Sequence, residues 1–200
     1  MASPPVRPRR RADAERSIAR IVSAARMTLG VHPDATIDDI AKAAGVGRMT
    51  LYGHFANRAE LVEAALVEAL RCGEEVLAAV DLTGNARQAL TRLLHSSWTL
   101  VAESMALLEA AEGTLPAGRI RELHAAPSAR MEELIRRGQA DGDFRSDLPT
   151  SWLISVVHYV LHGAAAEIRA GRMPANPAGT VTATVQSILT VPAPDENGPA

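Results

Sequence analysis

Apolar residues recur at helical spacing along most of the chain, and polar positions fill the faces between them. Ile18, Ile21, Val22, Ala25 and Leu29 predict a helix over residues 12–29, which His32-Pro33-Asp34 ends. Ile37, Ile40, Ala41 and Ala44 predict a second, with Thr36 as its N-cap and Asp39 completing a capping pattern. Gly45 stands where that helix needs a left-handed residue to end. The next segment, residues 47–55, is short. In it Leu51 and Phe55 lie one turn apart and face inward, while Met49, Thr50 and Gly53 point the other way. Tyr52 and His54 stand on its flanks. A fourth helix over residues 58–80 carries Leu61, Ala65, Leu66, Ala69, Leu70 and Leu77.

Past a break at residues 81–85, the pattern predicts helices over 86–103, 104–114, 117–125 and 127–140, the last opened by Pro127 in its first turn. A turn over residues 140–147 precedes a long helix, 149–170. Trp152, Ile154, Val156, Val157, Val160 and Leu161 make that helix apolar nearly all round, as a buried helix is. A final helix, 177–190, has Val181, Val185, Ile188 and Leu189 on one stripe. Residues 1–11 and 191–200 lack periodicity and are expected to be disordered. No strand pattern or internal repeat interrupts this. The predicted fold is all-α, an N-terminal three-helix bundle followed by a larger helical domain.

Residues 36–58 read as helix, glycine turn and short second helix, which is the helix-turn-helix that lays a helix in the major groove of DNA. The polar residues of the short helix suit that use. Thr50 meets a base edge or a phosphate, Met49 a thymine methyl, and Arg48 a guanine or a phosphate. Tyr52 and His54 donate to phosphates, which set register and not sequence.

Charge at first argues the other way, because the chain is net −2. Its distribution points back to nucleic acid. Residues 1–58 hold ten basic residues against five acids, and residues 59–200 hold eleven against eighteen. The basic part coincides with the helix-turn-helix, as expected for a DNA-binding portion joined to another module. Arg9-Arg10-Arg11 could extend it as a minor-groove arm or add only non-specific attraction.

The single cysteine, Cys72, excludes an internal disulfide and points to a reducing compartment, with a buried small side chain as its expected role. The N-terminus lacks the apolar core of a signal peptide, and no run suits a bilayer, so a soluble chain without membrane association is expected. His158 and His162 have a chelating i, i+4 spacing, but no third ligand stands near, and no metal or other cofactor is expected. No nucleophile elbow, phosphate-binding glycine loop or metalloprotease motif appears, so no catalytic residue is assigned.

Residues 46–58, VGRMTLYGHFANR, resemble the signature of TetR-type regulators, a Thr-Leu-Tyr-x-His-Phe core followed by Asn and a basic residue. TIDDIAKAAGV just upstream resembles the family's first helix-turn-helix helix. The resemblance implies that Thr36, Thr50, Tyr52, His54 and Arg58 touch double-stranded DNA at a pseudo-palindromic operator, with Arg48 and Met49 as variable base readers. Two residues depart from the pattern. Gly47 stands where Ser or Thr usually caps the recognition helix, and Gly53 should loosen that helix by about 1 kcal/mol relative to alanine.

Beyond about residue 70 the resemblance is architectural. It implies a DNA-binding domain over residues 12–58 and an effector-binding and dimerisation domain over 59–190, entered through a connecting helix at 59–80. Helices 149–170 and 177–190 would pair in a homodimer. His95, Trp98, Met105, Glu109, Met131, Trp152, Ser155 and Tyr159 would line a pocket for a largely apolar small molecule. The implied protein is a cytoplasmic, nucleoid-associated bacterial regulator, most simply a repressor released by its ligand. An architectural or division-associated DNA-binding protein of the same fold, or an all-α enzyme or carrier, are the alternatives.

Overall fold

A computed structural model describes residues 7–174 and 177–190, with side chains from residue 12 onward. The described residues form helices α1 (Arg7–Leu29), α2 (Ile37–Ala43), α3 (Arg48–Tyr52), α4 (Arg58–Ala78), α5 (Ala86–Glu112), α6 (Ala117–Leu123), α7 (Ala125–Ala140), α8 (Thr150–Arg169) and α9 (Ala178–Leu189), with no strand among them. The all-α reading holds.

Two departures from the periodic pattern concern whole segments. Helix α1 begins at Arg7, so residues 7–11 belong to a helix and not to an arm. Pro8 sits in its first turn, where a missing N–H has no intrahelical partner to lose. Helix α5 is continuous through residues 103 and 104, because nothing in VAESMALL breaks a helix. The expected disorder of residues 1–6 and 191–200 lies outside the described residues.

Contacts divide the chain into two compact units, grouped differently from a cut at residue 58. The first runs through Cys72 and also takes in Glu103–Leu123; the second comprises Gly73–Ala102 and the chain from His124 onward.

One apolar core holds the first unit together. Ile21, Ala25 and Leu29 of α1, Ile40 and Ala41 of α2, Leu51 of α3 and Phe55 beyond it pack with Leu61, Val62, Ala65 and Leu66 of α4. Leu107, Ala110, Ala111 and Leu115 complete that core. The stripe of α4 therefore serves the same core as the three helices before it, which is why the unit does not stop at residue 58.

In the second unit, α7 packs on α8 and α8 on α9. The 140–147 turn is fixed from both sides. Asp143 accepts from the Asn85 side chain at 2.8 Å and from the backbone N–H of Ala86 at 3.0 Å, joining the start of α5. Phe144 is buried against Gly138, where an added Cβ would collide with the ring, so only glycine fits there.

Leu107→Ala should lower the unfolding free energy by about 2–5 kcal/mol, the usual cost of a leucine-sized core cavity. Urea denaturation followed by circular dichroism measures it. A change under about 1 kcal/mol would mean that this stretch of α5 is not core to the first unit.

Candidate nucleic-acid interface

The surface built by α2, α3 and the start of α4 is organised by caps and one salt bridge. Thr36 caps α2: the Asp39 N–H donates to its Oγ1 at 3.2 Å, while its own N–H donates to Asp39 Oδ2 at 2.9 Å. Its hydroxyl also donates to that carboxylate at 2.6 Å. These hydrogen bonds, from the Thr36 hydroxyl first and its backbone second, hold the Asp39 pKa below its ordinary value of 3.8. The carboxylate is thus ionised throughout the neutral range, and what it adds to the cap is lost only as pH falls below 3.8 and through that lowered value.

Gly45 then turns the chain with φ 63°, the left-handed conformation that glycine adopts without steric cost. Val46 donates to the Ala41 carbonyl at 3.0 Å, closing the end of α2. Helix α3 is shorter than predicted and starts from Gly47, which makes no side-chain cap bond. Gly53 is its C-cap, at φ −70° and not in the helix interior. The expected loosening by Gly53 is therefore corrected, since the interior-glycine penalty does not apply at a cap.

Within α3 the side chains divide sharply. Leu51 is wholly buried and Phe55 nearly so, whereas Met49 is 82% exposed and Thr50 is exposed. Tyr52 borders on exposed and His54 is half-buried. Arg48 Nη1 donates to Asp38 Oδ2 at 2.8 Å, and its guanidinium lies 5.5 Å from the centroid of the Tyr52 ring. The interaction with Tyr52 first, and the Asp38 charge next, raise the Arg48 pKa above its ordinary value.

Arg58 is used by the protein itself. Its Nη2 donates to the Pro33 carbonyl at 2.8 Å and its Nη1 to that of Ala35, pinning the loop before α2 to the start of α4. Asn57 caps α4 by accepting from the Glu60 N–H at 3.0 Å, and Glu60 reaches back to the Ala56 N–H at 2.8 Å. An open cleft of about 550 Å³ is lined by Asp34, Thr36, Ile37, Asp38, Arg48, Tyr52 and Arg58. The structure so gathers Thr36, Arg48, Tyr52 and Arg58, sets Met49 and Thr50 on the exposed side of α3, and adds one functional candidate missed in the sequence. That is Asp38, which reads there only as a favourable charge at a helix start.

The model of bacterial regulatory proteins of the tetR family matches residues 21–65. Over that stretch, which includes α2 and α3, the chain is similar to the members of this family. It is 34% identical over 87 residues to the HTH-type transcriptional repressor LfrR of Mycolicibacterium smegmatis, a stretch covering 43% of this chain and 46% of that protein. The match thus spans under half the length of this curated relative.

Solved structures extend the likeness in fold. LfrR from Mycobacterium smegmatis in complex with proflavine has a TM-score of 0.70 at 22% identity, covering 88% of this chain and 98% of that one. The regulator FadR from Bacillus subtilis in complex with stearoyl-CoA has a TM-score of 0.67 at 16% identity, covering 86% and 98%.

The residues expected to line an effector pocket are distributed over both units. Met105 and Glu109 fall in the first unit. In the second, Trp98 and Met131 are buried in the packing, while Trp152 and Tyr159 are 54% and 72% exposed. The Ser155 hydroxyl donates to the Ser151 carbonyl of its own helix at 3.0 Å. His95 lines an open cleft of about 480 Å³, with Val76, Ala79, Val80, Asp81, Thr91, Arg92 and Ser96. Helix α8, read as apolar all round, buries Leu153, Ile154, Val157 and Leu161 and turns Trp152 and Tyr159 outward.

Cys72 is half-buried, its thiol 3.6 Å from Glu68 Oε1, and so is not the fully buried side chain expected. His158 and His162 stack with ring centroids 6.3 Å apart, and no group of three or more metal-ligating side chains occurs among the described residues. No helix among them is long and apolar enough to cross a membrane.

Burial first, then the neighbouring His162 and His124, lower the His158 pKa below its ordinary value of 6.5. The unfolded chain thus binds this proton more readily than the folded one, and stability falls as pH drops below about 6.5 toward the lowered folded pKa. Melting temperatures between pH 7 and 5 should show this loss, and His158→Gln should flatten it. An unchanged slope in the variant would assign the effect elsewhere.

Proposed function

We propose that this protein is a transcriptional repressor that binds a pseudo-palindromic DNA operator as a homodimer and lets go when a largely apolar small molecule binds. The observation that carries the reading is the division of α3. Its apolar side is locked into the core of the first unit, and Arg48, Met49, Thr50 and Tyr52 are left on the surface beside a cleft. A helix held in this way can enter a major groove with its side chains already placed. In the groove, Thr50 and Met49 contact base edges and Tyr52 a phosphate. His54 adds a phosphate contact at the edge. Thr36 and Arg58 act mainly by positioning, because their polar atoms already bind Asp39 and the loop carbonyls.

Dimerisation is assigned to α8 and α9. Exposed Trp152 and Tyr159 lie two turns apart on one face of α8, with half-buried Ser155 and Val156 between them. Large aromatic residues in the open are the usual anchors of an interface. Two copies would set their α3 helices into successive major grooves, about 34 Å apart. The effector is assigned to the second unit, where His95 lines an open cleft; an apolar ligand is suggested by similarly folded proteins solved with proflavine and stearoyl-CoA. Helix α4 contributes residues to both units and is the segment through which ligand binding would alter the DNA-binding unit. Ligand need only prefer one of two conformations to do so.

Selection from a random duplex pool should enrich a two-fold symmetric sequence. Thr50→Ala together with Tyr52→Phe should weaken binding to it by about 1–3 kcal/mol with an unchanged circular dichroism spectrum. Recovery of only sequence-blind, salt-sensitive binding would instead favour an architectural DNA-binding protein. Trp152→Glu with Tyr159→Glu should yield monomers in sedimentation equilibrium and lose operator binding by 10-fold or more, roughly the loss of one half-site's worth of contact. Dimers that survive these changes would move the interface off this face of α8.

A further inference from the structure

We infer that Asp38 sets the sequence preference of the interface by fixing Arg48 for a guanine, an assignment that rests on the DNA-binding reading above. Asp38 is an acid on a surface that must approach a polyanion. Its place in the first turn of α2 gives it a favourable charge, but Asp39 already supplies that charge and the cap. The Asp38 carboxylate instead meets Arg48 Nη1 at 2.8 Å, reaching from α2 to the first residue of α3. The Tyr52 ring supplies a second support 5.5 Å from the guanidinium carbon. A carboxylate and an aromatic ring together bias the guanidinium toward one orientation.

The chemistry of the fork explains why this favours guanine. Arginine carries five N–H donors, and Asp38 uses Nη1. A pair of donors remains for the O6 and N7 acceptors of guanine, the bidentate pairing that arginine makes best. An unheld arginine would be drawn to the nearest phosphate, which carries no sequence information. Neutralised by Asp38, Arg48 has less to gain from a phosphate and keeps its geometry for the base. With both side chains about 60% exposed, at 60% and 59%, the pair is weak in water. It strengthens when DNA covers it and excludes solvent. Asp38 is accordingly a positioning residue, and it exchanges general affinity for selectivity.

The test uses the full chain, the duplex enriched from a random pool, versions of it with each base pair replaced in turn, and a random duplex of equal length. Asp38→Asn should bind the random duplex more tightly and lower the ratio of specific to random affinity by about 5- to 20-fold, the scale of one base-pair contact. It should also steepen the plot of log K against log salt by about one per half-site, because Arg48 is freed to pair with a phosphate. Arg48→Gln should abolish discrimination at one G·C pair per half-site, and adding Asp38→Asn to it should cost no further selectivity.

A merely structural Asp38 would weaken both duplexes alike, with no change in salt slope, and that result overturns the inference. So does an Arg48→Gln variant that discriminates every position as the parent does. Failure of the pool to enrich any sequence would overturn the DNA-regulator reading itself, and the inference with it.

Discussion

The burial of Leu51 is the constraint on which the rest of the proposed DNA-binding surface depends. Helix α3 is five residues long, far too short to hold helical shape by its own hydrogen bonds. It exists because Leu51 is anchored among residues of α1, α2, α4 and the end of α5, with Phe55 closing the next turn. Gly47 adds no capping bond, so tertiary packing has to supply what the local sequence withholds. The exposed residues of α3 are therefore placed by a core they do not touch. Loss of an apolar contact on α1 or α5 would disorder the reading surface without altering any residue on it.

Electrostatics shapes that surface in a second way. A helix-turn-helix is expected to be plainly basic, yet the cleft beside α3 carries Asp34 and Asp38 along with Arg48 and Arg58. Each arginine is already engaged, one by Asp38 and one by the carbonyls of Pro33 and Ala35. Such a surface attracts DNA less strongly than its count of cations implies, because paired charges release fewer counterions. It holds its donors in a fixed geometry instead. Sequence discrimination needs geometry more than attraction, and the balance here leans toward discrimination.

The features legible in the sequence are those decided within one or two turns of chain. The Thr36–Asp39 capping box, the left-handed Gly45 and the inward pair Leu51 and Phe55 each follow from local rules and stand in the structure as read. What was not legible is tertiary. Nothing in the periodicity of residues 107–115 says that they complete a buried core otherwise drawn from residues 21–66. An apolar helix such as α8 shows the same pattern whether its aromatic residues face a core or a partner, and here Trp152 and Tyr159 face outward. The expected pocket residues shared only a residue type, apolar with a few polar groups, which ordinary packing also satisfies. Asp38 was hidden because its partner lies ten residues away across a turn, out of reach of any helical wheel.

Amide chemical-shift mapping tests most directly whether DNA binds the exposed side of α3, held by Leu51 and flanked by the start of α2. A selected duplex is titrated into isotopically labelled protein. The largest perturbations should fall on residues 36–38 and 48–54, with much smaller ones in α8 and α9. Perturbations centred in the second unit, with residues 48–54 left unmoved, would contradict that placement.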